Sequence, residues 1–532
     1  MSGRRSRAGK TASRAAATRQ SGRAALVFRN RVAQFRPAWN VGERRSISFR
    51  EFRQVVRRYR PSRLLPELAA LAASTQLVDR GDPIFSTAPP WAIALAARES
   101  ILWGNEYRRD EVTDSDLVDI FNGHNNIYEG DPAPEDENFL LRLMTRLAYE
   151  QFPMQESVFE EVARPHALLV EGVDSVAGLQ VLANPDAWNR LLGAPLGQTV
   201  GATMFLQVVA NQNGGWYDSD WLTQERFEPV FQAWPREVIE LRAEQLSTTF
   251  DGFRASYETA LKKGAPPPGY ERFAFNPLVT TPFLRMSDGR LLAPQPRFIL
   301  LSVSPGALYY RGLEVFGKPY ADDLGQLTEA YVGRQLRSLS DDVVAHSEVV
   351  YRKEHLRSID WFWVFPSIVV LVEVKSARFG LSERAGAPDF EEAVAARLGK
   401  AANQIARTEA ALVNGLPEFD HIPNDRPRIG IIVTGEPHHL ANSPWMRDLF
   451  AQPPVPMVTA SLRDLEMLVA LPAERVEEQL VAIARDAEKS SWSHANALDH
   501  DARIDPATGK PYRNQILDEA WSSYPWLKER SA

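Results

Sequence analysis

Residues 360–375 read DWFWVFPSIVVLVEVK. Two runs of β-branched and aromatic residues flank one turn-forming pair, Pro366–Ser367, which predicts two strands joined by a tight hairpin. The second run, SIVVLV, is apolar on both of its faces and therefore belongs at the centre of a sheet covered on both sides. That requirement points to an α/β fold in this part of the chain.

The hairpin also brings charges together. If Pro366 and Ser367 form a two-residue turn, residues facing each other have numbers that sum to 733, so Asp360 stands opposite Glu373. Their Cβ atoms would be about 4.5–5.5 Å apart. Proline cannot adopt the positive φ that tight hairpins favour, which leaves this register open at the level of sequence. Strand alternation puts Glu373 and Lys375 on one face and Ile368, Val370, Val372 and Val374 on the other. Two facing carboxylates repel each other unless a cation lies between them. A purely structural alternative has Asp360 ending a strand while Glu373 and Lys375 pair as surface charges.

With 532 residues, 44% of them hydrophobic, the chain is long enough for two or three domains with real cores. It contains no cysteine, which excludes disulfides, thiolate metal sites and a cysteine nucleophile, and fits a reducing compartment. Any chemistry must come from carboxylates, His, Lys, Ser or a bound metal. No apolar run approaches the roughly 20 residues of a membrane helix. The basic N-terminus is not followed by a signal-peptide core, so a cytoplasmic protein without membrane association is expected.

Charge is uneven. Residues 1–42 hold ten Arg or Lys and no acid, so the remaining 490 residues carry 51 basic and 68 acidic groups, a net charge of −17. Residues 1–45 read as a basic, disordered arm that either screens nucleic-acid phosphates or solubilises the chain. In the following SFREFRQVVRRYRPSR, Phe52, Val55, Val56 and Tyr59 form an apolar stripe, with Arg50, Arg53 and Arg57 opposite. This predicts an amphipathic helix with a basic face.

Helical spacing with Pro and Gly punctuation continues to about residue 264, which assigns 46–264 to a mostly helical sensing or positioning domain able to bind a protein partner. TDSDLVDIFNGHNN reads as a capped helix ending at Gly123, which makes His124 a polar residue at a helix end. His438 and His439 read as a loop after a strand. FNPLVTTPFLRMSDGRLLAPQPRFILLSV predicts a hairpin turning at SDGR, an added edge of the C-terminal sheet. Residues 476–532 read as a polar tail with a short aromatic helix.

The facing carboxylates and the neighbouring lysine suit phosphodiester hydrolysis. The acids would hold one or two Mg²⁺ ions, with Mn²⁺ able to substitute, and the metal polarises phosphate and acidifies the attacking water. Lys375 would position that water or stabilise developing negative charge.

Asp360 followed by EVK at 373–375 resembles the PD-(D/E)XK phosphodiesterase superfamily, whose fold is restriction-endonuclease-like. Two further positions extend the resemblance: Glu329 on the helix DDLGQLTEAYVGRQLRSL and Gln404 on VAARLGKAANQIARTEAALVNG. A buried strand, RIGIIVTG, and a strand running into a helix, PVPMVTASLRDLEMLVAL, follow in the expected order. The residue before Asp360 is Ile359 rather than the proline of the superfamily's name.

The resemblance implies a nuclease-like domain over 265–475, with a central mixed sheet flanked by helices. It implies Asp360, Glu373 and the Val374 carbonyl as metal ligands, Glu329 on a second ion or its water shell, Lys375 on the nucleophile, and Gln404 orienting a neighbour. DNA is the expected substrate because most members cut DNA, and homodimerisation would account for a double-strand cut. The expected activity is a metal-dependent deoxyribonuclease, of the kind that serves prokaryotic anti-phage or restriction systems. The alternative is a catalytically silent nuclease fold acting as a binding subunit of a larger complex.

Overall fold

Capping residues and apolar stripes set the helices of this computed structural model, which describes residues 46–75, 88–129, 139–151, 154, 157–352, 356–376, 378, 384–385, 390–492 and 494–524. The basic arm, residues 1–45, lies outside the described residues, as do 525–532. The chain divides into two compact units. One comprises residues 46–129 and 198–302, and the other 139–197 and 303–524. Relative to a boundary expected at residue 264, residues 265–302 fall in the first unit and 139–197 in the second.

The first unit is mainly helical. Ser48 and Glu51 form a reciprocal capping box that starts the helix Phe49–Val56, whose Phe49, Phe52 and Val56 are buried. Thr113 and Asp116 cap Asp114–Asn125 in the same way. This helix runs past Gly123 to Asn125, and His124 lies inside it, buried edge-on against the Phe52 ring at 6.2 Å. The SDGR turn forms as expected, between β3 (Phe283–Arg285) and β4 (Leu291–Leu292), with Gly289 at φ +86°. Its sheet differs from the one expected. The strands β1 (Trp216–Tyr217) and β2 (Ser247–Thr248) flank it in the order β1-β4-β3-β2, a small sheet belonging to the first unit. It adds no edge to the sheet of the second unit.

The second unit is α/β. Its sheet has the order β11-β10-β9-β8-β5, built from β5 (Val344–Ser347), β8 (Trp361–Val364), β9 (Val369–Lys375), β10 (Arg428–Thr434) and β11 (Met457–Ser461). A short pair, β6 (Val350–Tyr351) and β7 (Leu356–Arg357), stands apart from it. The pairs β8·β9 and β5·β8 are antiparallel, whereas β9·β10 and β10·β11 are parallel, so the sheet is mixed.

Helices cover both faces, as the apolar β9 requires. On one face the Trp361 and Trp363 indoles donate to the Glu329 and Leu336 carbonyls of the helix Lys318–Leu336, each at 3.1 Å. Gly333 permits this approach, because a Cβ there would lie 2.2 Å from the Trp361 ring. On the other face Phe362, Val369 and Leu371 pack with Val394, Leu398, Ala401 and Ile405 of the helix Phe390–Val413.

The C-terminal segment is part of this unit. Asn514 donates to Gln335 at 2.7 Å and to the Glu466 carbonyl at 3.0 Å, and the Tyr524 hydroxyl donates to the Val162 carbonyl at 3.2 Å. Among the described residues no helix is long and apolar enough to cross a membrane.

Candidate active site

The β8–β9 hairpin has the register that the sequence left open. Trp361 faces Val372, Phe362 faces Leu371, Trp363 faces Val370 and Val364 faces Val369, each pair summing to 733. Phe365 donates its N–H to the Ile368 carbonyl at 2.9 Å, leaving Pro366 and Ser367 as the turn. Glu477 fixes that turn by accepting from the Ser367 N–H and hydroxyl at 2.7 and 2.8 Å.

One step beyond Trp361 the ladder ends, and the Asp360 side chain continues it. Its Oδ2 accepts the Val374 N–H at 2.6 Å. The Lys375 carbonyl points to the other edge of β9, where it accepts from Gly435 at 3.0 Å. Alternation along the strand therefore aims the Val374 carbonyl toward the Asp360 side.

Glu373 is 3% exposed although it is a carboxylate. Lys375 donates to its Oε1, while its Oε2 is buried with no hydrogen-bond partner among the described residues. Burial, then the Asp360 charge, push the Glu373 acid up to about 7. Burial raises Asp360 as well, opposed by the Val374 N–H and by Lys375. Glu329 is also pushed up to about 7, by burial and then by Asp360 and Glu348. The structure thus brings Glu329, Asp360, Glu373 and Lys375 into one electrostatic neighbourhood.

Gln404 acts on the backbone that delivers Asp360. Its Nε2 donates to the Arg357 and Ser358 carbonyls at 2.6 and 2.8 Å, and its Oε1 accepts from Arg407. One turn further along the same helix, Thr408 accepts the Ile359 N–H at 3.0 Å. Ile359 itself is fully buried.

Sequence reasoning missed Glu348. In the β5·β8 ladder Ser347 faces Trp361, so the next pair is Glu348 and Asp360. Burial raises the Glu348 acid, and Asp360 raises it further, against a 2.8 Å ion pair with Arg357. Only the register of β5 against β8 reveals it, and HSEVV carries no strong strand pattern of its own.

Four carboxylates thus share one end of the sheet with Lys375 and Arg357. Such a group repels itself in the absence of a further cation. Even so, among the described residues no three acidic or imidazole side chains are already drawn close enough to hold a metal ion. Beside the acids, Glu329 and Trp361 line a cleft of about 860 Å³ with Arg334, Arg337 and Gln515. Arg337 lies 4.5 Å from the Trp361 ring centroid.

His439 lies against Tyr149 at 4.8 Å, and burial lowers its pKa to about 4. His124 belongs to the first unit. No protein-family model, curated protein or solved structure matches the chain.

Proposed function

We propose that the second unit is a metal-dependent phosphodiesterase of the PD-(D/E)XK type, acting on DNA. The observation that carries this reading is the register of β8 on β9. It sets the Asp360 carboxylate against the Val374 N–H, between Glu373 and Lys375, and leaves Glu373 Oε2 buried and unpartnered. The element order agrees with the reading: the helix bearing Glu329, then β5, β8 and β9, the helix bearing Gln404, then β10 and β11.

The donor set fits a hard divalent cation such as Mg²⁺ or Mn²⁺. Oxygen donors gather at one end of the sheet, one carboxylate oxygen lacks a partner among the described residues, and Glu329, Asp360 and Glu373 have raised pKa values that a cation would relieve. Asp360, Glu373 and the Val374 carbonyl would hold the ion, and Glu329 a second ion or its water shell. When bound, the metal supplies Lewis acidity to the phosphate and a more acidic attacking water.

The chain's own residues do the rest. Lys375 leaves Glu373 Oε1 to orient the nucleophilic water and to offset the charge that develops on the phosphate. Gln404 and Thr408 fix the strand entry at 357–359, which sets where the Asp360 carboxylate stands. Glu348 adds charge that draws cations to the site. The cleft beside Glu329 offers room for the substrate strand, with Arg337 on its wall.

A second reading, a silent nuclease fold that only binds, draws on the closed Lys375–Glu373 pair and on the lack of an assembled three-ligand group among the described residues. One experiment separates the two. Purified protein and its Asp360→Ala variant are incubated with linear, supercoiled and single-stranded DNA in Mg²⁺, Mn²⁺ or EDTA. Metal-dependent cutting lost in the variant supports the nuclease. Failure of the wild type both to cut and to bind metal in a calorimetric titration would leave the binding role. A cytoplasmic role in anti-phage defence or restriction belongs to the same proposal.

A further inference from the structure

The first unit carries a surface on which arginines and aromatic rings alternate. The helix Phe49–Val56 buries Phe49, Phe52 and Val56, which turns Arg50 outward. Arg57 caps its C-terminal end, and Arg58 follows, exposed. Beside this helix lies the end of the helix Pro90–Trp103. Its last residue, Trp103, is 43% exposed, with the Arg53 guanidinium 4.6 Å from the ring centroid.

The chain then turns through Asn105–Asp110, and Tyr107 at the tip is 95% exposed. A tyrosine left almost wholly in water buries none of its ring, so the fold gains nothing from it that a smaller polar residue would not supply.

This tip is held in place. Arg109 donates its N–H to the Arg58 carbonyl at 3.0 Å, Arg60 donates its N–H to the Arg109 carbonyl at 3.1 Å, and the Arg60 Nε donates to the Arg108 carbonyl at 2.8 Å. Asp110 pairs with Arg63 at 2.7 Å and with Arg60 at 3.6 Å, and Asp116 takes Arg109 at 3.8 Å. The parallel bridge between Tyr59 and Arg109 sets Arg58 beside Arg108.

These pairings use up Arg60, Arg63 and Arg109, and Arg53 pairs with the buried Glu99 at 2.7 Å. Among the described residues Arg50, Arg57, Arg58 and Arg108 have no acidic partner, and the Nε of the half-buried Arg57 is itself buried without a hydrogen-bond partner. Four unneutralised guanidinium groups therefore lie on the same elements as two exposed rings, on a chain whose residues beyond 42 carry a net charge of −17.

We infer that this surface binds single-stranded nucleic acid, with Arg50, Arg57, Arg58 and Arg108 on the phosphates and Tyr107 and Trp103 stacking on unpaired bases. Flat rings between cations serve single strands, whose bases are free to leave their neighbours and stack on protein. A duplex keeps its bases stacked and would use only the arginines. The rigid hold on the 105–110 turn means that little ordering is lost on binding. The inference does not rest on phosphodiester cleavage.

The test is fluorescence anisotropy of the full chain in EDTA, which removes metal-dependent cutting. The probes are a labelled oligothymidine and a labelled duplex of equal length. Tyr107→Ala should weaken oligothymidine binding by about tenfold or more, with little effect on the duplex. The double variant Arg58→Ala/Arg108→Ala should reduce the slope of log K against log salt by about 1.4, the contribution of two phosphate contacts on a single strand.

These side chains face water, so unchanged thermal unfolding of the variants excludes a folding defect. Equal binding by wild type, Tyr107→Ala and the double variant would overturn the proposal. So would sedimentation with phosphatidylserine vesicles that depends on Tyr107 while oligothymidine binding does not, because the surface would then be a membrane contact. Loss of binding in these variants, with a wild type that neither cuts nor binds metal, would leave this surface standing and the nuclease reading fallen.

Discussion

Replacing Glu373 with Gln should stabilise the metal-free protein at pH 8 and not at pH 5. The acid is 3% exposed and faces Asp360, which together hold its pKa near 7 instead of the ordinary 4.5. An acid that keeps its proton more tightly when folded imposes no penalty below about pH 4.5. The penalty grows as pH rises from there to about 7 and is constant above. At about 1.4 kcal/mol for each pKa unit, it reaches about 3 kcal/mol at pH 8.

The glutamine removes that penalty, which already nets the Lys375 attraction, but buries an amide whose donors lack partners, which offsets about 1 kcal/mol. A net gain of about 2 kcal/mol is expected at pH 8, against a small loss at pH 5. Because the chain has two units, the readout should be local. Hydrogen exchange of peptides covering 361–375, compared between wild type and variant at each pH in EDTA, reports the opening free energy of this hairpin. Adding Mg²⁺ at pH 8 should protect the wild type more than the variant, since a ligand stabilises only the state that binds it. A variant less stable than wild type at pH 8, or an effect equal at both pH values, would refute the electrostatic reasoning.

Other perturbations test the remaining parts. Lys375→Ala should abolish cleavage in a plasmid assay while Mg²⁺ or Mn²⁺ affinity by calorimetry changes little; retained cutting would place the chemistry elsewhere. Gln404→Leu leaves the Arg357 and Ser358 carbonyls without their donor and should lower kcat more than it raises KM, with about 1 kcal/mol of stability lost in denaturant titration. Gly333→Ala forces a methyl to within 2.2 Å of the Trp361 ring and should cost about 1–3 kcal/mol, read in the same hydrogen-exchange experiment. Deleting residues 1–42 should weaken nucleic-acid affinity and flatten its salt dependence with the fold intact; an unchanged slope would remove any role for those ten basic groups.

The hairpin was legible because everything that defines it is local. A turn pair with strand formers on both sides fixes a register, and the period of two then assigns every face. Proline at the first turn position left that register open, and the Glu477 contacts that hold the turn come from a residue 110 positions away. The hairpin 283–292 was legible for the same local reason, but not the sheet it joins, since its partners β1 and β2 are only two residues each. Residues 139–197 read as ordinary helices, and nothing in their periodicity says what they pack on. The helix Val158–Leu169 meets its partners through Arg164 to Glu466 at 2.7 and 2.8 Å and through the Tyr524 hydroxyl, contacts across 302 and 362 positions.

The carboxylate cluster shows the same division within a single site. Asp360 and Glu373 are joined by one turn, so their facing pair follows from counting. Glu329 lies on a helix whose pattern is weak because residues on several sides of it are buried, from Tyr320 through Leu336. What aims its last turns at the sheet is the close contact of Gly333 with Trp361 and the two indole hydrogen bonds, none of which leaves a periodic trace. Glu348 depends on β5, an edge strand of four residues, none of them buried, in which apolar and polar positions are not cleanly separated. A site built where several strands and a helix end together therefore discloses first the members that share a turn. The remaining acids come into view only in space, where the charge of Asp360 raises both Glu329 and Glu348.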